Sequence, residues 1–442
     1  MEMNTEMAKN VAEWIHAGIK PALGCTEPGA VALAAAYAGK ELGEEPVTRI
    51  EITVDPNVYK NGVAVGVPGT GRVGLEIAAA LGALIRDPSL ELSVLRNITP
   101  ELLTRAEKLL ASGNVNVSLK DRQGLYVGVT VFSGDHYARA LLEDDHTRLT
   151  HLSCNGESLL QLQCGNESGF SSETQPDWEQ ATLAGLIEAA VSLPMDELLF
   201  FEECIRMNTA AARSGMEKRL GMAIGATFQE LIRDKLLTDD LINSAKIQTA
   251  AAADARMSGE NIPVMSVAGS GNHGLTAILP VVSVAERLSI PREKLHRALA
   301  VSAVTTLYIK RFTGNLSALC GCAVAAATGA CAGIVWMMGG NHAQIAAAVK
   351  NMIANLTGMI CDGGKVGCAL KLSAAAGVAV ETALLSMKNV LVPETNGIIF
   401  ASVDDTIRNL GRVSNPGMLE TDKVIIEIMR EKGNQAMNMA VS

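Results

Sequence analysis

From Ala318 to Gly340, 23 successive residues carry no charged side chain, and most of them are Ala, Gly, Cys or Thr. A run of that length must be buried in lipid or in protein. It holds few of the Leu, Ile and Phe residues that favour insertion, and neither an aromatic belt nor a basic cluster flanks it. A buried helix in a soluble protein is the expectation. The rest of the chain fits close packing of small side chains. The hydrophobic fraction is 48% but aromatics are only 3%, so core volume comes from aliphatics. Alanine and 41 glycines let helices approach one another closely.

Periodicity divides the 442 residues into two compositional halves. In the first, Arg49–Val54, Val115–Leu119 and Leu125–Phe132 alternate as strands do, and His136–Leu142 pairs with the last across Ser133-Gly134-Asp135. Gly74–Arg86 and Pro100–Ser112 have helical spacing. Residues 155–175 are polar and rich in Ser, Asn, Glu and Gly, which reads as a linker or loop. Beyond it the pattern is almost wholly helical, from Trp178–Ser192 and Met195–Arg213 to Arg292–Lys310 and Asn341–Leu356. The expected class is α+β. Residues 1–155 form a mixed α/β domain with a small sheet, whose first helices are free to pack on the next domain. Residues 156–175 link it to a larger helical domain over 176–442.

A net charge of −10 without a basic run excludes a nucleic-acid surface. Met1–Asn10 carries two glutamates and no basic segment leading into an apolar one, so no secretory signal is expected. The nine cysteines then read as reduced cytoplasmic thiols or metal ligands, not as a disulfide frame. Neither membrane nor nucleic acid is an expected partner, and a homo-oligomer is left open.

The cysteines are also where chemistry is most legible. Cys361 and Cys368 flank a glycine-rich loop, CDGGKVGC, whose amides could turn toward a metal-bound sulfur. LCGCAVAAATGAC supplies Cys320, Cys322 and Cys331. The spacing is neither a ferredoxin pattern nor a structural zinc site, and buried cysteines often serve only as small hydrophobes. Cys154, Cys164 and Cys204 have no partner pattern and read as structural. Near the start, LGCTEPG places Cys25 at a helix N-terminus with Thr26 as the expected N-cap. There the macrodipole would lower the thiol pKa, with Glu27 opposing it.

Several loops add polar groups. VAGSGNHG, carrying Ser270, Asn272 and His273, leads into a helix whose amides favour an anion such as a carboxylate. GVPGTGR, Gly66 to Arg72, has P-loop glycine separation, but Arg72 and Val73 replace the required Lys and Ser/Thr, so no NTPase is expected. DPNVYKNG follows a strand and reads as a polar loop carrying Lys60 and Asn61. Lys310-Arg311 closes a helix just before the cysteine cluster. Each of these also has a bland reading as a turn or a helix terminus.

Taken in order, IKPALGCTEPGAVALAAA, PNVYKNG, GVPGTG, GSGNHG, NLSALCGCAVAAATGA and MICDGGKVGCALK resemble the L-cysteine desulfidase family. Its helical half is similar to the α-domain of iron–sulfur L-serine dehydratases. The resemblance covers nearly the whole chain. It implies a carbon–sulfur lyase that eliminates sulfide from L-cysteine, leaving pyruvate and ammonia, with a [4Fe–4S] cluster held by Cys320, Cys361 and Cys368. One iron stays open as a Lewis acid, and Cys25 is the proton acceptor. Cys322 competes with Cys320 as third ligand, because on a helix the two would point about 200° apart. Lys60, Asn61, Ser270, Asn272 and His273 are candidates for binding the substrate. L-serine dehydration remains an alternative, since an open iron grips a hydroxyl as well as a thiol. So does a non-catalytic cluster- or zinc-binding sensor.

Overall fold

The computed structural model describes residues 2–96, 98–122, 124–162, 181–314 and 317–441. The strands are β1 (Ile19–Leu23), β2 (Arg49–Val54), β3 (Val115–Leu119), β4 (Tyr126–Ser133), β5 (His136–Glu143), β6 (Leu149–Cys154), β7 (Glu157–Gln161) and β8 (Pro263–Val267). Six of them form one sheet in the order β3-β2-β4-β5-β6-β7, antiparallel except for the β2–β3 pair. Ser133 faces His136 across the expected tight turn. β7 occupies residues assigned to a linker by composition. Short polar strands at a sheet edge need no apolar alternation, which is why composition missed it. Residues 163–175 of that stretch, including Cys164, lie outside the described residues.

The protein is α+β. Helices Thr26–Glu41 and Leu75–Ile85 cover one face of the sheet, giving a first core around Ile50, Ile52, Val127, Val129 and Leu142. A second core is almost wholly helical and includes Val11, Trp14 and Ile15 of the first helix. The uncharged run becomes a π-helical turn at Cys322–Ala326 continuing into helix Ala327–Met337, nearly every side chain of which is buried. Helix Cys368–Met387 is long and apolar enough to cross a bilayer, but 56% of its apolar window is buried, and it packs on helices Leu241–Met257 and Ala327–Met337. It is a core helix here.

Two elements join the halves. β1 and β8 pair as an antiparallel ribbon, Ile19 opposite Val267 and Leu23 opposite Pro263. The loop after β1 is thereby fixed beside the loop after β8. At the other contact, DPNVYKNG is not a loop but a short helix, Pro56–Gly62. Asp55 caps it by accepting from the amides of Asn57 and Val58 at 2.8 and 3.2 Å, and also from Tyr126 of β4 at 2.8 Å. Asp followed by Pro is a helix-start signature, and it outweighs the turn chemistry of Asn and Gly.

Helices Thr26–Glu41 and Leu75–Ile85 cross at glycine notches. A Cβ on Gly82 would lie 2.0 Å from the Ala32 carbonyl oxygen, and one on Gly39 2.6 Å from that of Ala83. Alanine is a better helix former than glycine by about 1 kcal/mol, but overpacking a filled contact costs about 1–3 kcal/mol. Gly82→Ala is therefore expected to lower the urea midpoint. An unchanged or raised midpoint would show that this crossing has slack.

Candidate active site

A single isolated backbone bridge assembles the sulfur-rich centre. Leu319 pairs with Ile360, the Cys320 amide donates to the Met359 carbonyl at 2.9 Å, and the Cys361 amide donates to the Ala318 carbonyl at 2.7 Å. Cys320 and Cys361, 41 positions apart by number, thus flank one bridge. Cys368 opens helix Cys368–Met387, and its Sγ lies 3.6 Å from the Gly363 carbonyl oxygen. All three interact electrostatically with one another, and Cys322 joins them.

The expectation that Cys320 and Cys322 diverge is corrected. Cys320 lies ahead of the helix that opens at Gly321, so helical angles do not apply, and the two thiols interact directly. The bond from Cys322, the Ala323 amide and Lys371 outweigh burial and hold the Cys320 thiol down at about 6. The same bond pushes Cys322 well above the usual thiol range, with burial and the neighbouring thiols adding to it. Burial raises Cys361 and takes Cys368 to about 11. Lys310 is nearly enclosed, and burial lowers it to about 8 despite the opposing pull of Cys322, Cys361 and Cys320.

The CDGGKVGC loop ties this centre to the other half of the molecule. Gly363 has a φ of +94°, and a Cβ there would stand 1.9 Å from the Lys60 carbonyl oxygen, so both backbone and space demand glycine. The next residue, Gly364, lies against the Asn61 carbonyl and the Cys25 sulfur, the latter 3.6 Å from its Cβ position. His273 closes another side, its Nε2 only 2.4 Å from where a Gly321 Cβ would be. Its Nδ1 lies 3.2 Å from the Val267 carbonyl, and burial with Lys310 and Arg256 nearby drives the ring down to about 3, leaving it neutral. Cys25, Lys60, Asn61, His273, Cys320, Cys322, Cys361 and Cys368 therefore surround one small region.

Other predicted residues sit differently. Helix Gly271–Arg287 starts earlier than its apolar pattern suggests, with Ser270 as N-cap and Asn272 and His273 in its first turn. Lys60 is fully buried and pairs with Asp422 at 2.5 Å, so its charge is already met. Lys371 pairs with Asp362. Gly66–Arg72 packs against Gly24 through Pro68 and against Gly259, a close-packing role for its glycines. Cys331 and Cys204 are buried in the helical core, and Cys154 lies against the sheet core.

Cys25 itself is the helix N-cap, in place of Thr26. Its thiol is raised, not lowered. Burial is the main cause, and the Glu27 carboxylate, which accepts from Cys25 Sγ at 3.0 Å, adds to it; Arg256 opposes both. One turn of dipole does not outweigh a buried carboxylate in contact. Glu27, also bonded by Thr26 Oγ1 at 3.2 Å, is 5% exposed. Sequence spacing left two participants unrecognised, Arg256 and Asp422. For Arg256 a signal existed: Asp254 and Arg256 interrupt the alanines of Ala250–Ala255, and charges in such a helix face must be bonded.

The family profile of the serine dehydratase alpha chain matches residues 89–427. The chain belongs to the serine dehydratase alpha-chain family. The matched span includes all four central cysteines, while Cys25, Glu27, Lys60 and Asn61 precede it. This alpha-chain family member is 44% identical over 434 residues to a UPF0597 protein of Desulfatibacillum aliphaticivorans, covering 96% of the chain and 99% of that relative. It is 43% identical over 424 residues to a UPF0597 protein of Clostridioides difficile (95% and 99% covered), and 43% over 433 residues to one of Bacteroides fragilis (98% and 100% covered).

The Cys25–Glu27 contact makes a direct prediction about this family member. Glu27 favours the protonated thiol, so Glu27→Gln should move the pH profile of Cys25 alkylation to lower pH. At a fixed pH below the profile, alkylation of the Cys25 peptide by iodoacetamide, read by mass spectrometry, should quicken about tenfold, the effect of one pKa unit. An unmoved profile would mean that burial alone governs this thiol.

Proposed function

We propose that the protein is a cytoplasmic L-cysteine desulfidase, a carbon–sulfur lyase eliminating sulfide from L-cysteine to leave pyruvate and ammonia. The observation that carries this reading is the convergence of Cys25 on the thiols Cys320, Cys361 and Cys368. A lyase of the dehydratase type needs a base on one side of Cα and an electrophile for the leaving group on the other.

The donor set fits a [4Fe–4S] cluster better than a single ion. Among the described residues no three His, Cys, Asp or Glu side chains form a group that could hold one metal ion. Cluster ligands sit on different irons and stand further apart than ligands of a single ion. Cys320, Cys361 and Cys368 come from three backbone positions around one centre, and Lys310 and Lys371 supply positive charge against it. Cys320 flanks the Leu319–Ile360 bridge together with Cys361, which favours Cys320 as the third ligand. When bound, such a cluster would supply an open iron as Lewis acid for the departing sulfur.

The chain's own groups do the proton work. Cys25, as thiolate, takes the Cα proton, a role worth about 10²–10⁴-fold. Glu27, in contact with that sulfur, takes the thiol proton beforehand and then passes it to the departing hydrosulfide, which leaves Cys25 as thiol and Glu27 as carboxylate again. The buried neutral His273 and the amide of Asn61 line the region without adding charge. The family profile favours a second reading, L-serine dehydration by the same machinery.

Anaerobically prepared protein supplied with iron and sulfide should be brown, bleach in air, and release sulfide and pyruvate from L-cysteine with a higher kcat/KM than it shows for L-serine. Cys25→Ala should lower kcat by about 10² or more with the colour retained. A preference for serine would replace the substrate, and undiminished turnover in Cys25→Ala would remove that thiol as base.

A further inference from the structure

The cations around the thiols differ in what they face. Lys60 pairs with Asp422, Lys365 and Lys371 share Asp362, and Lys310 stands beside Cys320, Cys322 and Cys361. Arg256 is the exception. It is 3% exposed, and among the described residues no carboxylate lies within ion-pair distance of it. Its Nη2 donates to the Gly24 carbonyl at 2.8 Å, and its Nη1 to Asn272 Oδ1 at 3.0 Å and to the Met257 sulfur at 3.3 Å. Its Nε has no hydrogen-bond partner. It also faces the Cys25 thiol, which burial and Glu27 keep protonated, so at rest every acceptor it has is neutral. A guanidinium never sheds its proton, and a buried charge without a counter-ion is costly unless an anion arrives.

Its position says which anion. Gly24 immediately precedes Cys25, and Asn272 immediately precedes His273, so the guanidinium bridges the two loops that the β1–β8 ribbon brings together. Gly271 leaves it room, since a Cβ there would stand 2.3 Å from Nε. We propose that Arg256 is the anchor for the α-carboxylate of the amino-acid substrate. This rests on the lyase reading above. A carboxylate held beside Gly24 carries its Cα one bond away, toward the Cys25 sulfur, and a guanidinium matches a carboxylate with parallel N–H bonds.

L-alanine has the substrate's frame without a leaving group, and L-alaninamide lacks only the carboxylate charge. Calorimetric titration of the full chain should show L-alanine binding at least about tenfold more tightly than the amide, the scale of a charge-assisted bond. Arg256→Gln, with a melting temperature matching wild type, should bind the two equally, and Arg256→Lys should recover part of the difference. Should the variant fail to fold, the wild-type comparison stands alone. Equal or absent binding of both ligands by wild type, or preserved discrimination in Arg256→Gln, would overturn the anchor. Turnover separates this from the parent reading: an active lyase without discrimination sinks only the anchor, while a reconstituted protein inert toward both L-cysteine and L-serine sinks the lyase.

Discussion

Four thiols gathered in one place, two buried and two half-buried, cannot all ionise without help, and the rest of the molecule is arranged around that constraint. Cys322, the Ala323 amide and Lys371 all lower the Cys320 thiol. Lys310 and Lys60 bring further positive charge to the same thiols. In a low-dielectric interior such charges act over several ångströms with little screening, so small shifts in backbone would undo the balance. The backbone is accordingly pinned by the Leu319–Ile360 bridge on one side and by the Gly363 contact with the Lys60 carbonyl on the other.

That pinning explains the composition. A centre lined by main chain from five segments needs main chains in close approach, which aromatic side chains would prevent. The uncharged run supplies a helix whose first seven residues, Ala327–Gly333, are all small, and glycines at the crossing points let carbonyls from one half touch the loop of the other. The sheet and its two covering helices hold Lys60 and Asn61 in place, and the C-terminal helix contributes Asp422 to Lys60. The two cores therefore meet at the site, and neither half makes it alone.

Much of this was legible in sequence. Period-two runs located β2 and β3 to the residue, and the turn joining β4 to β5 followed from Ser-Gly-Asp. The cysteines and loops that converge were each visible as local oddities. Their convergence was not, because it depends on β1 pairing with β8 across most of the chain, and neither strand has enough alternation to stand out from its neighbours. Local reasoning also failed where a tertiary neighbour decided the outcome. For Cys25 the sequence set the dipole against Glu27, and it is burial that decides between them. Cys320 looked helical because the residues after it are.

The central claim is that Cys320, Cys361 and Cys368 hold a four-iron cluster with one iron open to substrate. Mössbauer spectroscopy of the protein reconstituted anaerobically with iron-57 tests it most directly. A four-iron spectrum is expected in which one site alone changes its parameters when L-cysteine is added. A spectrum that L-cysteine leaves untouched, or iron that never assembles into a four-iron cluster, would contradict it.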